Sequence, residues 1–169
     1  QVRSAALFSG NGQDADAMTL TLSNVGIFVG VGGGLTDVGS DGDYSNDTVA
    51  NGTLGFGATV TTLTLVSIKD RGASALLATD DRTYLGVALK DFDGDLVGLD
   101  DLLVFHAYNV DAVINKSAHA DGVTAVSKLD WSTFSNTGMD LSAAKTALNA
   151  TTLGAVTASV DLAVDGGVA

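Results

Sequence analysis

The chain contains no cysteine, no proline and no glutamate. Without cysteine, a disulfide framework and a thiolate metal site are excluded. All 20 acidic residues are aspartate, whose short carboxylate binds nearby backbone N–H groups in turns, whereas glutamate favours helices. This choice of acid predicts a chain built from strands and tight turns.

Proline commonly protects the edges of β-sheets in monomeric proteins. Its absence leaves two interpretations open. Either the sheet edges are meant to pair with neighbouring repeats or identical subunits, or glycine, asparagine and aspartate simply supply every turn.

Basic residues are scarce, with eight Lys and Arg and a formal net charge of −12. Because this charge repels phosphate backbones and anionic lipid surfaces, we expect no nucleic-acid partner. No segment approaches the roughly 20 apolar residues of a membrane span, so we also expect no membrane insertion. The length of 169 residues fits one domain, and a start at Gln1 without methionine predicts a module cut from a longer polypeptide, or a filament subunit.

Alternation of apolar and polar residues dominates the sequence. Met18, Leu20 and Leu22 alternate with polar residues, and an apolar alternation continues from Val25 to Val31. Further strand candidates lie at residues 60–68, 84–89, 102–108, 110–114, 123–129 and 156–164. The pattern predicts an all-β fold, a mostly antiparallel β-sandwich or a flattened β-solenoid with open end strands for stacking.

A single stretch, residues 141–150, has helical character. Leu141, Ala144 and Leu148 would share one face, and Ser142 could cap the start. We therefore expect at most one short helix.

Several segments resemble a long tandem repeat of giant bacterial extracellular surface proteins of the adhesin-like or matrix-like type. They are residues 20–35 (LTLSNVGIFVGVGGGL), 84–89 (YLGVAL), 96–99 (LVGL), 128–132 (KLDWS) and 160–166 (VDLAVDG). The resemblance implies an all-β repeat without catalytic residues, often found beside calcium-binding modules. Residues 91–95 are more acidic than that pattern.

Two aspartate clusters have the composition of calcium sites. Asp91, Asp93 and Asp95 place carboxylates at alternate positions of a D-x-D-G-D segment, as calcium loops do, but the glycine and glutamate of an EF-hand are missing. The second cluster lies in a glycine-rich stretch and comprises Asp37, Asp41, Asp43 and Asp47. Both clusters predict Ca²⁺ as the one candidate cofactor; the alternatives are an acidic bend and a mobile surface loop.

Other motifs favour structural interpretations. The glycines at residues 30–34 lack the spacing of a phosphate-binding loop and fit a strand end. Nothing in the spacing joins His106 or His119 to a particular serine. Trp131 and Phe134 could stack on a sugar, although a lone tryptophan among apolar residues is more often core. Four N-x-S/T sequons predict surface glycans at Asn46, Asn51, Asn115 or Asn149.

Three functions remain open from the sequence. The favoured one is a non-enzymatic structural module of an extracellular or cell-surface protein, which builds a fibre, stalk or sheath through β-sheet edges. The alternative is a calcium-dependent adhesion or ligand-binding module. The third, a glycan hydrolase or similar enzyme, has no positive support.

Overall fold

The computed structural model describes residues 3–7, 14–71 and 78–169. Its nine strands are β1 (Arg3–Leu7), β2 (Asp14–Val31), β3 (Gly34–Thr36), β4 (Thr48–Ala50), β5 (Leu54–Asp70), β6 (Arg82–Val97), β7 (His106–His119), β8 (Asn136–Thr137) and β9 (Leu162–Val168). A 3-10 turn covers Ala78–Asp80, and one helix, α1, covers Ser142–Leu148. The prediction of an all-β fold with at most one short helix is confirmed.

Seven strands form one sheet in the order β8-β1-β2-β5-β6-β7-β9, and β3 and β4 form a separate antiparallel pair. β1 runs antiparallel to both β2 and β8. Four strands are 14 to 18 residues long, well above the typical five or six. Such length follows from long alternating segments without proline, which would interrupt the hydrogen-bond ladder.

The chain divides into two compact units. Unit 1 comprises Gln1–Leu22, Leu63–Leu89 and Asp111–Asp165, and unit 2 comprises Ser23–Thr62, Lys90–Val110 and Gly166–Ala169. Four of these boundaries have a residue with a positive φ angle, the left-handed region of backbone conformation, within two positions. These residues are Asn24, Asp91, Asn109 and Gly166. A left-handed residue inside a strand is typical of a β-bulge, and asparagine, aspartate and glycine are the residues that tolerate it.

Unit 1 has a continuous hydrophobic core. The sheet contributes Val66, Ile68, Tyr84 and Val113, and residues 120–161, which we call the covering segment, contribute Leu129, Trp131, Phe134, Leu141, Leu148 and Val156. Trp131 is fully buried and packs edge-on against Phe134 at 5.4 Å between ring centroids. The interpretation of Trp131 as a core residue is confirmed. Its burial contributes about 5 kcal/mol of hydrophobic free energy.

Three predicted strands are wrong at least in part. Residues 123–129 contain no strand, residues 102–108 become a strand only from His106, and residues 156–164 only from Leu162. In the covering segment, the apolar alternation does not come from a strand. Leu129 and Val156 are buried there although their backbone is irregular. The N–H of Trp131 donates to the carbonyl of Val156 at 2.9 Å and holds these two stretches together.

The predicted helix is present, but its cap is not Ser142. Leu141 occupies the N-cap position without a side-chain hydrogen bond, and the Asp140 carboxylate accepts the N–H of Ser142 at 2.9 Å. Leu141, Ala144 and Leu148 are buried together, as the helical spacing predicts. None of the helices in the described residues has the length and hydropathy needed to cross a membrane.

Gly86 in β6 has no side chain, and the Trp131 indole occupies the space that this leaves on the sheet. A Cβ atom at this position would lie 2.9 Å from both Trp131 Cε2 and Leu148 Cδ1. Because real Cβ contacts are longer than this, any side chain here would push the covering segment off the sheet.

We therefore predict that Gly86→Ala lowers the free energy of unfolding by about 1–3 kcal/mol, the usual cost of overpacking. The measurement is chemical denaturation followed by tryptophan fluorescence. Gly34→Ala is the matched control, because a Cβ there has no neighbour within 4 Å. Equal effects of the two substitutions would contradict the packing argument.

Candidate functional site

The four aspartates of the glycine-rich loop in unit 2 bind the loop's own backbone. Asp41 Oδ1 accepts the N–H of Asp43 at 2.9 Å, and Asp43 Oδ1 accepts the N–H of Ser45 at 2.9 Å. Asp37 and Asp47 accept the N–H groups of Asp41 and Val38, both at 3.2 Å. The hydrogen bonds that Asp43 accepts from Ser45 lower the pKa of Asp43; the bond from the backbone N–H has the larger effect, and the bond from the side chain adds to it. The loop is thus a chain of aspartate turns.

The other predicted calcium ligands lie in a strand rather than in a loop. Asp91, Asp93 and Asp95 all belong to β6. Asp93 Oδ1 accepts the N–H of Asn109 at 2.9 Å, and Asp95 contacts His106 Nδ1. Alternate residues of a strand are about 7 Å apart, whereas calcium needs its oxygen ligands within about 2.5 Å of one point. The strand therefore places Asp93 and Asp95 about 7 Å apart, and Asp91 precedes them in the left-handed conformation of a bulge.

In residues 3–7, 14–71 and 78–169, no group of three or more acidic or histidine side chains is placed to hold a metal ion. Most of the carboxylates in both clusters accept a hydrogen bond from the protein. Calcium binding stays a prediction, and in the described residues these carboxylates do not converge on one point.

Three further aspartates, in unit 1, form turns of the same kind. Asp121 accepts the N–H groups of Val123 and Thr124 at 2.9 and 2.8 Å, and it also contacts the Thr124 hydroxyl. The hydrogen bonds from Thr124 hold the pKa of Asp121 far below its usual value. Hydrogen bonds from Ser132 and Ser142 likewise lower the pKa values of Asp130 and Asp140. The aspartate-only composition therefore has a local structural cause in both units.

The two histidines lie in different units and have different neighbours. His119 in unit 1 is mostly buried, with its Nδ1 3.1 Å from Asp121 Oδ1. His106 in unit 2 contacts Asp95 and stacks on Tyr108 at 5.5 Å between ring centroids. Each histidine thus lies beside one aspartate, and His106 also stacks on an aromatic ring.

Unit 1 contains a cavity of about 550 Å³ beside the covering segment. Arg82, Tyr84, His119 and Phe134 line it together with residues 124–130 and Thr133. Its volume suits a small molecule. One of its cations, Lys128, already pairs with Asp161 at 2.5 Å, and the lining offers mainly apolar surface. The cavity does not identify a ligand class.

One of the four predicted glycan sites is wrong for the folded chain. Asn115 is fully buried, and its Nδ2, the atom that would carry a glycan, donates to the carbonyls of Leu129 and Thr157 at 2.8 and 2.9 Å. Asn149 is half-buried, and its Nδ2 donates to the carbonyl of Lys145 at 2.7 Å. Asn46 and Asn51 are exposed, and Asn46 Nδ2 donates to the carbonyl of Val38 at 3.0 Å. The prediction stays open for Asn46, Asn51 and Asn149.

Unit 2 has almost no core of its own. Its buried hydrophobic residues, in the part that the structure describes, are Ala58, Val60 and Ala107. Fourteen large hydrophobic residues are exposed: Ile27, Val29, Val31, Leu35, Val38, Tyr44, Val49, Leu54, Leu102, Leu103, Val104, Phe105, Tyr108 and Val168. Exposed apolar surface on this scale marks interaction sites in soluble proteins. It is the strongest candidate for a functional surface, and sequence alternation alone could not reveal it.

No family model matches the chain, and comparisons with curated proteins and with solved structures found no similar protein. The functional argument therefore rests on the geometry of the two units.

The role of Asp93 can be tested with two substitutions. Asp93→Asn keeps an oxygen that accepts the Asn109 N–H, whereas Asp93→Ala removes it. If Asp93 is structural, we expect the alanine variant alone to lower the melting temperature, with the same effect in a chelator and in millimolar calcium. The measurement is thermal unfolding by circular dichroism. A calcium-dependent rise in melting temperature that both variants lose would instead establish Asp93 as a calcium ligand.

The turn aspartates also predict the pH dependence of stability. Their pKa values are lowered in the folded chain, below about 3.9 for an unfolded aspartate. The stabilisation is therefore present above about pH 4 and is lost as the pH falls through the folded pKa values. We expect the melting temperature to fall below about pH 4, and Asp121→Asn to flatten this fall. Exposed Asp101→Asn controls for the lost charge; equal flattening by both variants would contradict the assignment.

Proposed function

We propose that the chain is a non-enzymatic structural module of an extracellular, cell-surface protein. It extends a fibre, stalk or sheath by joining β-sheet edges between copies or repeats. The observation that carries this proposal is the uncovered apolar surface of unit 2, where 14 large hydrophobic residues are exposed and three hydrophobic residues are buried. A unit of this kind is stabilised when a partner covers it.

The charge distribution supports assembly through a restricted surface. The net charge of −12 opposes contact between copies over most of their surface. Residues 17–36 carry no charge at all, although they include most of β2 and the whole of β3. Two copies therefore repel each other least where such uncharged strands meet, which favours ordered contacts over random aggregation.

The extracellular placement rests on the resemblance to repeats of surface proteins and on the exposed sequons at Asn46 and Asn51. A glycan at either asparagine would extend into solvent. The non-enzymatic assignment draws on the aspartates, since those of the turns are engaged with backbone N–H groups rather than directed at a common reaction centre. The same engagement leaves the calcium-dependent alternative without a specific observation in its favour.

The test is negative-stain electron microscopy of the purified chain at neutral pH, with and without millimolar calcium. We expect ordered fibres with a regular axial repeat in both conditions. Because salt screens the repulsion between negative copies, the sedimented fraction should rise with ionic strength. Dispersed single particles at all salt and calcium concentrations would refute the proposal, and fibres in calcium alone would favour the calcium-dependent alternative.

A further inference from the structure

In the part of the chain that the structure describes, strand β2 is paired on its outer side over only a short part of its length, where β1 pairs with it from Asp14 to Ala17. In the described residues, the sheet order gives β2 no other neighbour on that side. The later residues of β2 therefore present unpaired backbone groups, as edge strands do.

Residues 25–31, which follow the left-handed Asn24 and belong to unit 2, form what we call the open edge. Its side chains Ile27, Val29 and Val31 are exposed. Natural edge strands are usually protected by charge or by proline, and the open edge has neither. An unprotected apolar edge in a chain of charge −12 indicates a surface that another strand covers.

The chain itself carries a strand with an exposed apolar row at one end of the sheet order. β9 is the last strand in the sheet order, and it follows β7 through paired bonds of 2.8 Å between His106 and Ala169. It has seven residues, exposes Leu162, Val164 and Val168, and carries one charge, at Asp165. These residues alternate as a strand that buries one face on a partner would require.

We propose that β9 of a second copy of this chain adds to the open edge of β2. This inference rests on the proposed function and names the two surfaces that would meet. Because the two edges differ and lie on different sides of the sheet order, the contact is heterologous and repeats from copy to copy. Backbone hydrogen bonds supply the pairing, and the two apolar rows supply the burial.

Cross-linking tests the pairing directly, since the chain has no cysteine of its own. Val29→Cys and Val164→Cys chains are mixed under assembly conditions and treated with a short bismaleimide. We expect a cross-linked dimer that contains one chain of each kind. The control replaces Val164→Cys by Val123→Cys, because Val123 is 89% exposed and lies in the covering segment. Equal yields from the two mixtures would overturn the proposal, and so would efficient cross-linking of Val29→Cys with itself, which indicates an isologous dimer.

A charge substitution separates this inference from the proposed function. We expect Val29→Lys to raise the protein concentration needed for fibres by about tenfold or more, with an unchanged melting temperature of the single chain, since Val29 is 67% exposed. Val123→Lys makes the same charge change and should leave assembly intact. If the wild-type chain forms fibres and Val29→Lys forms them equally well, the open edge is wrong and the structural function stands. If the wild-type chain forms no fibres, both fail.

Discussion

The side chain of Asn115 connects the sheet of unit 1 to the segment that covers it. Its Nδ2 donates to the carbonyls of Leu129 and Thr157, and its Oδ1 accepts the indole N–H of Trp131 at 3.0 Å. Asn115, Leu129 and Trp131 are buried, so each lost partner among them would cost about 1–3 kcal/mol. The rest of the core depends on this connection, because Trp131 can lie on Gly86 only while the covering segment is held against the sheet.

In the loop at residues 37–47 and in the covering segment, the main task of aspartate is to close turns. The carboxylates of the loop at residues 37–47 and of the covering segment accept backbone N–H groups two to nine residues away. Composition predicted this use correctly, because a short carboxylate reaches its own backbone and a glutamate does not. It could not separate turn formation from calcium binding, since both use the same residue in the same short, glycine-rich setting.

Sequence alternation predicted the long strands well and their surroundings poorly. β2, β5 and β6 have the expected apolar periodicity, whereas residues 123–129 show the same pattern and form irregular backbone. Alternation reports burial of every second side chain, and a covering segment can produce it without a sheet. The sequon at Asn115 misled for a similar reason, because an N-x-S pattern says nothing about depth in the core. The open edge of β2 depends on where β1 stops, and no local pattern in β2 contains that information.

The small number of buried side chains in unit 2 bears on how assembly would proceed in time. Segments with few buried apolar contacts open at low free energy, independently of better-packed regions. An isolated copy would thus have a well-ordered unit 1 and a locally labile unit 2, whose ordering is completed when an adjoining strand covers it. Part of the conformational entropy that the chain loses on folding would then be lost only on association. Growth onto an existing end, where an ordered edge is already displayed, would be faster than the first encounter of two free copies, which gives polymerisation a slow nucleation step.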